Sequence, residues 1–292
     1  MKRYLLIILL TLLLTGCSGR QIVDMPVVSN YEITAESYKN MHLRVGLVPG
    51  AYAEIFTAAI QPSLEELGYI IEIIYYDNYQ LPNISLARGL IDLNIYQHYK
   101  SLNSFKFEND LALSAIAEIP TLPMGIFSSV YKSIDDIETN AVVSVPMDYT
   151  NRARALALLE DARLITFDKY DDKNTITETD IVDNPLNLRF NTIRAENLVR
   201  SLSICELSVI DGSYAINGGL SLSDALYTEE LDADHLIVIA VRTEDLSSEF
   251  VRDIIDVVHS DKYMQAIINP DGTFANFQRP RSFIETLNRE GR

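Results

Sequence analysis

Hydrophobic and polar positions follow two alternating rhythms along this chain. Leu43-Arg44-Val45-Gly46-Leu47-Val48 has the short apolar run of a buried strand, and Pro49-Gly50 supplies a turn after it. From Ala53 to Leu67 the period changes. Ile55, Phe56, Ala59, Ile60, Leu64 and Leu67 recur on one helical face, with Pro62 placed to kink the helix and Gly68 to end it. Tyr69 to Tyr76 is a predicted strand, Pro82 opens a short helix closed at Gly89, and Leu90 to Tyr96 is a third strand. Further strands are predicted near Leu111–Glu118, Ala141–Pro146, Leu188–Ile193, Leu207–Ile210 and Leu236–Val241. Helices are predicted at Thr150–Ala162 and from Ser247 to about Ile268. This alternation defines an α/β fold with parallel sheets covered by helices. A patterned span of about 250 residues is long enough for two such units.

The N-terminus has a different pattern. Lys2 and Arg3 precede an apolar run from Tyr4 to Leu14. As a helix the run would reach roughly 16 Å, about half the hydrocarbon thickness of a bilayer, so it has the length of a signal-peptide core. It ends in Leu14-Thr15-Gly16-Cys17, which resembles the lipobox of bacterial lipoproteins. The resemblance implies a signal peptide at 1–16, cleaved after Gly16, and a diacylglyceryl group with added palmitate-type acylation on Cys17. Two or more acyl chains anchor stably where a single chain does not. Residues 17–40 show no sustained apolar period and are expected to form a tether.

Composition narrows the functional classes. The full chain carries 24 basic and 41 acidic side chains, a formal charge of −17. Loss of Lys2 and Arg3 leaves 22 basic groups and −19. Such a balance argues against nucleic-acid binding, which needs a basic surface. With Cys17 lipidated, Cys205 is the last cysteine, so no disulfide can form within the folded part, and its apolar setting from Ile204 to Ile210 suits a buried thiol. His42, His98, His235 and His259 lack paired metal-ligand spacing. No nucleophile elbow, phosphate loop or dinucleotide fingerprint is present. Neither an enzymatic activity nor a cofactor is expected, and Gly212, Gly218 and Gly219 read as turn glycines.

A series of short segments carries a family resemblance. These are Ala53-Glu54-Ile55, Tyr79-Gln80-Leu81-Pro82-Asn83, Asp92-x-Asn94-x-Tyr96-Gln97-His98 and Met124-Gly125-Ile126-Phe127-Ser128. They continue with Thr150-Asn151-x-x-Arg154-Ala155-Leu156, Asp183-Asn184-Pro185-x-Asn187-Leu188, Gly212-x-Tyr214-Ala215 and His259-Ser260-Asp261. In order and spacing the chain resembles the NlpA family, methionine-binding lipoproteins of bacterial ABC importers. The resemblance implies a type II periplasmic-binding-protein fold. Lobe 1 would comprise 41–127 and 236–292, lobe 2 would comprise 128–235, and the ligand would lie between them.

The same resemblance assigns candidate ligand-binding residues. Arg154 matches an arginine that pairs with a ligand carboxylate, a role its forked guanidinium suits, and Asn151 lies one turn earlier on the same helix face. Tyr79, Tyr96 and His98 match the walls of a side-chain pocket, and Tyr76 is a further, more peripheral candidate. Four positions depart from the family: Asp211 and Met147 stand where asparagines are usual, Ile237 replaces a second ligand-holding asparagine, and Ser101 replaces a tyrosine. Asp211 and Arg154 would then bracket a zwitterion. The expected protein is a lipid-anchored, monomeric solute-binding lipoprotein facing the periplasm or cell exterior. It would pass an amino acid, methionine or a related zwitterion, to an ABC permease by hinge closure. A diverged surface lipoprotein acting as adhesin or interaction module is the alternative.

Overall fold

The computed structural model describes residues 41–168 and 175–268, together with 274, 276–281 and 283. The expected signal peptide, Cys17 and the tether lie outside the described residues. The first unit begins with β1 (His42–Leu47), then a helical stretch of α1 (Ala51–Ile55), a wide π turn (Phe56–Ile60) and α2 (Gln61–Glu66). The π turn is the form taken by the kink expected at Pro62. Proline has no N–H to continue the ladder and its ring crowds the carbonyl four residues back, so the preceding turn opens. β2 (Ile70–Tyr75), α3 (Leu81–Ala87), β3 (Leu93–His98), α4 (Tyr99–Glu108) and β4 (Leu113–Ile119) follow.

The chain then crosses to a second sheet. Its elements are β5 (Gly125–Phe127), β6 (Val142–Pro146), α5 (Tyr149–Asp161), the small β7 (Thr166–Phe167) and β8 (Ile181–Asp183) pair, and β9 (Arg189–Ile193). α6 (Leu198–Ser201), β10 (Leu207–Ile210), α7 (Gly212–Asn217) and β11 (Tyr227–Thr228) complete it. A return crossing leads to β12 (Ile237–Arg242), α8 (Glu249–Val258) and α9 (Asp261–Ile268). The first sheet has the order β2-β1-β3-β12-β4 and the second β11-β5-β10-β6-β9.

Neither sheet is wholly parallel, as the alternation alone suggested. β12 runs antiparallel to both β3 and β4, and β5 antiparallel to β10 and β11. The reason is the exchange of strands: a strand that returns from the other sheet enters from the opposite end. The crossing out lies between Ile119 and Gly125, so β5 belongs to the second sheet and the expected lobe boundary at 127 falls a few residues late. Gly212, expected in a turn, opens α7. A Cβ there would lie 2.5 Å from the Pro123 carbonyl oxygen and 2.6 Å from Leu122, so glycine permits the close passage of the crossing segment.

Packing follows from the amphipathic faces. Ile55, Phe56, Ile60 and Leu64 pack with Val251, Ile254 and Ile267 over one face of the first sheet. Leu86 and Leu102 cover Val238 and Ala240 on the other face. In the second unit Leu156 and Leu159 of α5 bury Val143, Val145 and Val209. Each such side chain contributes about 1.5–3 kcal/mol when fully buried. Cys205 is buried and free, with Asn191 Nδ2 at 3.7 Å from its sulfur.

The two crossings run side by side and are fastened together. Thr121 Oγ1 accepts from the Ile237 N–H at 2.8 Å, and Met124 and Glu229 exchange a backbone bond at 2.9 Å. Gln278 joins both. Its backbone pairs with Thr121 at 2.8 and 2.9 Å, while its side chain accepts from the Leu231 N–H and donates to the Glu229 carbonyl, each at 2.8 Å. Gln278→Ala removes the side-chain bonds and leaves two backbone groups without partners. We expect a loss of about 1–3 kcal/mol, read as a lower midpoint in urea denaturation with little change in slope.

Candidate functional site

The carboxyl end of β3 and the turn before α3 are shaped by a buried amide cluster. Asn83 Nδ2 donates to Gln97 Oε1 at 2.9 Å, and Gln97 Nε2 returns a bond to Asn83 Oδ1 at 2.7 Å. Asn94 Nδ2 reaches the same Asn83 oxygen at 3.1 Å. These residues come from the two motifs around Pro82 and Asp92, so the cluster locks one motif to the other. Asp92 fixes the strand's start by accepting from the Arg44 N–H at 2.9 Å, from the Arg44 guanidinium at 2.8 and 3.0 Å, and from Arg242 at 3.2 Å. The lock places Tyr79 against Tyr96, with ring centroids 5.5 Å apart and the Tyr96 hydroxyl donating to the Tyr79 carbonyl at 2.9 Å.

His98, the last residue of β3, faces the second lobe. Its Nδ1 accepts from the Ser101 N–H at 3.2 Å, which leaves Nε2 as the protonated nitrogen. Nε2 lies 3.2 Å from Asn151 Oδ1 and 3.0 Å from the Ser101 hydroxyl. Ser101 is thus the residue that sets the His98 tautomer, a part its position after the motif did not announce. Burial, reinforced by the positive charge of Arg154, holds the His98 imidazole well below its ordinary pKa, so it is neutral.

On the opposite wall, Asp148 caps α5. Its Oδ1 accepts from the Asn151 N–H at 2.9 Å and from Asn151 Nδ2 at 3.1 Å, which turns the Asn151 carbonyl oxygen toward His98. Asp148 is open to the cleft but enclosed by its walls. Loss of hydration there raises its carboxyl, and the Asp211 charge adds to the rise. Tyr214 of α7 meets Tyr79 edge to face at 5.5 Å. The lobes therefore touch through Tyr79–Tyr214 and His98–Asn151 across a cleft of about 960 Å³.

Tyr76, Tyr79, Tyr96, His98, Asn151 and Asp211 all line this cleft. Arg154 sits behind it, its side chain only 2 % exposed. Glu229, unnoticed at the level of sequence, takes both prongs of its guanidinium, Nε to Oε1 at 2.8 Å and a terminal nitrogen to Oε2 at 2.5 Å. The other terminal nitrogen lies 3.3 Å from Asp211 Oδ2. Arg154 and Asp211 thus do not face each other across a zwitterion as expected; they form an ion pair on the same wall.

Burial disfavours both charges of the Arg154–Glu229 pair, but their mutual attraction outweighs it. The arginine is held above its ordinary value and the glutamate below. The Met124 N–H adds a bond to Glu229 Oε2 at 3.0 Å. Ile237 and Met147 line the cleft as apolar surface. Among the described residues no group of three or more His, Cys, Asp or Glu side chains could hold a metal ion.

Two lobes enclosing such a cleft make the fold that of the periplasmic substrate-binding proteins. It superposes on the periplasmic substrate-binding protein of an ABC transporter from Coxiella burnetii with a TM-score of 0.75, at 31 % identity, covering 82 % of this chain and all of that one. It also superposes on a nutrient-binding protein from Burkholderia cenocepacia bound to methionine with a TM-score of 0.73, at 28 % identity over 78 % of this chain and 95 % of that one. The D-methionine-binding lipoprotein MetQ of Salmonella typhi is 31 % identical over 230 residues, 77 % of this chain and 84 % of the relative. The pattern of the NlpA lipoproteins matches residues 43–275, and the chain belongs to that family. Residues 1–18 match the prokaryotic membrane lipoprotein lipid attachment site. The protein is lipid-anchored and membrane-associated, and no helix among the described residues is long and apolar enough to cross a bilayer.

Removing the Arg154 charge strands two carboxylates. Arg154→Ala should cost about 3–5 kcal/mol of folding stability, the scale for breaking a buried pair, read by chemical denaturation without ligand. An arginine serving only a ligand would leave stability unchanged.

The neutral His98 sets a pH dependence. Its folded pKa lies below the unfolded value of about 6.5, so its contribution is full above that pH. It is lost as pH falls and the unfolded chain takes up the proton. Denaturation midpoints should decline between about pH 7 and 5, and His98→Asn should flatten that decline. Asp232, drawn down to about 2 mainly by its bond to the His235 ring, acts in a more acidic window, below about pH 4.

Proposed function

We propose that this lipoprotein captures an amino acid or a related small zwitterion between its lobes and delivers it to an ABC permease. The chain acts as a monomer held to the membrane through lipid on Cys17. The observation that carries the reading is the cleft. Side chains of the two lobes meet across it at Tyr79–Tyr214 and His98–Asn151 while enclosing a volume suited to a small molecule. Lobe 1 comprises the segment from 41 to the first crossing together with 236–292, and lobe 2 lies between. The two adjacent crossings supply the hinge.

No bond is made or broken in this mechanism, and the protein is not an enzyme. Ligand fills the cleft, the lobes close on it, and the closed form is what the permease receives. Tyr79 and Tyr96 wall the pocket, with Tyr76 toward its mouth. His98 and Asn151 close it, and Asp211 offers a carboxylate to an ammonium group. Arg154 holds Asp211 and Glu229 in place. The names of the relatives favour an importer component over an adhesin, and methionine is the ligand those names print.

Small molecules released from the purified protein by denaturation should include an amino acid or short peptide by mass spectrometry. Readdition should raise the melting temperature. A folded protein that releases none, and whose melting temperature no amino acid or dipeptide moves, would sink the reading.

A further inference from the structure

Two glycine turns visible in the sequence, Pro49-Gly50 in lobe 1 and Gly218-Gly219 in lobe 2, lie at one contact between the lobes. Asn217, the last residue of α7, precedes the second turn and rests its amide on the first. Its Nδ2 donates to the Pro49 carbonyl oxygen at 3.4 Å. A Cβ on Gly50 would lie 2.3 Å from that nitrogen and 2.9 Å from Asn217 Oδ1. The amide thus fills the space that a side chain at position 50 would need. Gly50 also has φ +132° and ψ −161°, a backbone conformation that glycine adopts without strain and other residues do not.

Each half of the contact is held by its own lobe. Pro49-Gly50 follows β1, which pairs with β2 on one side and β3 on the other. The Gly50 carbonyl accepts from the Glu54 N–H at 3.1 Å to start α1. In lobe 2, Leu220 N–H donates to the Ala215 carbonyl and Gly219 N–H to the Ile216 carbonyl, each at 2.9 Å. These are the paired bonds of a glycine helix cap, and Gly219 has the positive φ of +86° that such a cap requires. A Cβ on Gly218 would lie 2.7 Å from the Val199 methyl carbons, so the helix end is seated against α6. A short asparagine on a fixed helix end reaches Pro49 only when the lobes are together.

The other contacts between the lobes have a different setting. Tyr79–Tyr214 and His98–Asn151 are made by residues that line the cleft, so they depend on what fills it. Asn217 does not line the cleft and is exposed to solvent. Water can replace both partners when the lobes part, so the bond shifts an equilibrium by a few-fold and does not lock it. We propose that Asn217 and Gly50 form a clasp that sets the balance between open and closed lobes without touching the ligand. The inference rests on the cleft being the ligand site and on closure about the two crossings. Any ligand held by closed lobes then binds more tightly by the factor the clasp contributes to closing.

The test is the distance between spin labels on Glu108→Cys of lobe 1 and Glu196→Cys of lobe 2, both at the cleft. It is read by double electron–electron resonance in the full mature protein carrying Cys205→Ser, freed of co-purified small molecules by unfolding and refolding. A shorter closed distance and a longer open one should both appear. Asn217→Ala should raise the open-to-closed ratio about threefold, the scale of one exposed hydrogen bond. Asn217→Asp keeps the shape but turns an acceptor toward the Pro49 carbonyl, and should raise the ratio further. Gly50→Ala should raise it too, because its methyl meets the amide, yet should add nothing once Asn217→Ala has removed that amide.

A ratio that none of these substitutions moves, or a Gly50→Ala effect undiminished in the absence of the amide, would overturn the clasp and leave the importer reading standing. In a second arm, a mixture of the twenty common amino acids should shift the labelled parent toward the closed distance. At the same concentration the shift should be smaller in Asn217→Ala. No shift in the parent would overturn ligand-driven closure, and the clasp would then stand or fall on the first arm.

Discussion

A guanidinium taken almost wholly out of water must be surrounded by carboxylates, because an unpaired buried charge costs several kcal/mol. In this protein that requirement falls on Arg154, and much of the second lobe is arranged around it. Glu229 lies on the return crossing, Asp211 at the start of α7, and Arg154 on α5. One charge therefore ties together a helix, a strand end and a hinge. Glu229 is held in turn by the Met124 N–H of the outgoing crossing, and its carbonyl by Gln278. The cleft wall and the hinge share members, so a change at one is felt at the other.

The first lobe solves a similar problem without net charge. Its cleft wall rests on Asn83 of α3 and on Asn94 and Gln97 of β3, all three buried. Buried amides are tolerated where their donors and acceptors are matched, and the reciprocal Asn83–Gln97 bonds provide that. The two lobes thus present different surfaces to the cleft. The first presents the Tyr79–Tyr96 stack and the neutral His98, set by amides; the second presents Asp148, Asp211 and Tyr214, with Asp211 held by an arginine that is itself hidden.

Most of the architecture is legible in the sequence, and the failures have physical causes. β3 is predicted from Leu90 because Leu90 and Ile91 are apolar, yet the strand starts at Leu93. Gly89 adopts a positive φ and Asp92 is bound to Arg44, which together hold the preceding residues in a turn. Gln97 and His98 continue the strand although polar, because the amide cluster and Ser101 satisfy them. α4 has no visible period because Leu102 is its one buried residue. Six of the seven candidate residues share the cleft because strand ends and helix starts converge there. Glu229 is hidden by composition: in a chain with 41 acidic residues one more carboxylate carries no mark. The signal that could have found it is Arg154 itself. It sits among Ala153, Ala155, Leu156, Leu158 and Leu159, a buried helix face where a cation demands an acidic partner.

Gln278 also bears on the order in which the protein is completed. The two crossings are built from residues 120–124 and 229–236, but part of their fastening belongs to a residue more than forty positions further along. A lipoprotein crosses the membrane from its N-terminus, so both crossings emerge well before the side chain that joins them. Until residue 278 has been translocated, the outgoing and return segments share only their own bonds, Thr121 with Ile237 and Met124 with Glu229. The last of these bonds therefore waits for the last part of the chain to be exported. A chain stopped shortly after α9 would hold every residue of the cleft and still lack the side chain that bonds to both crossings.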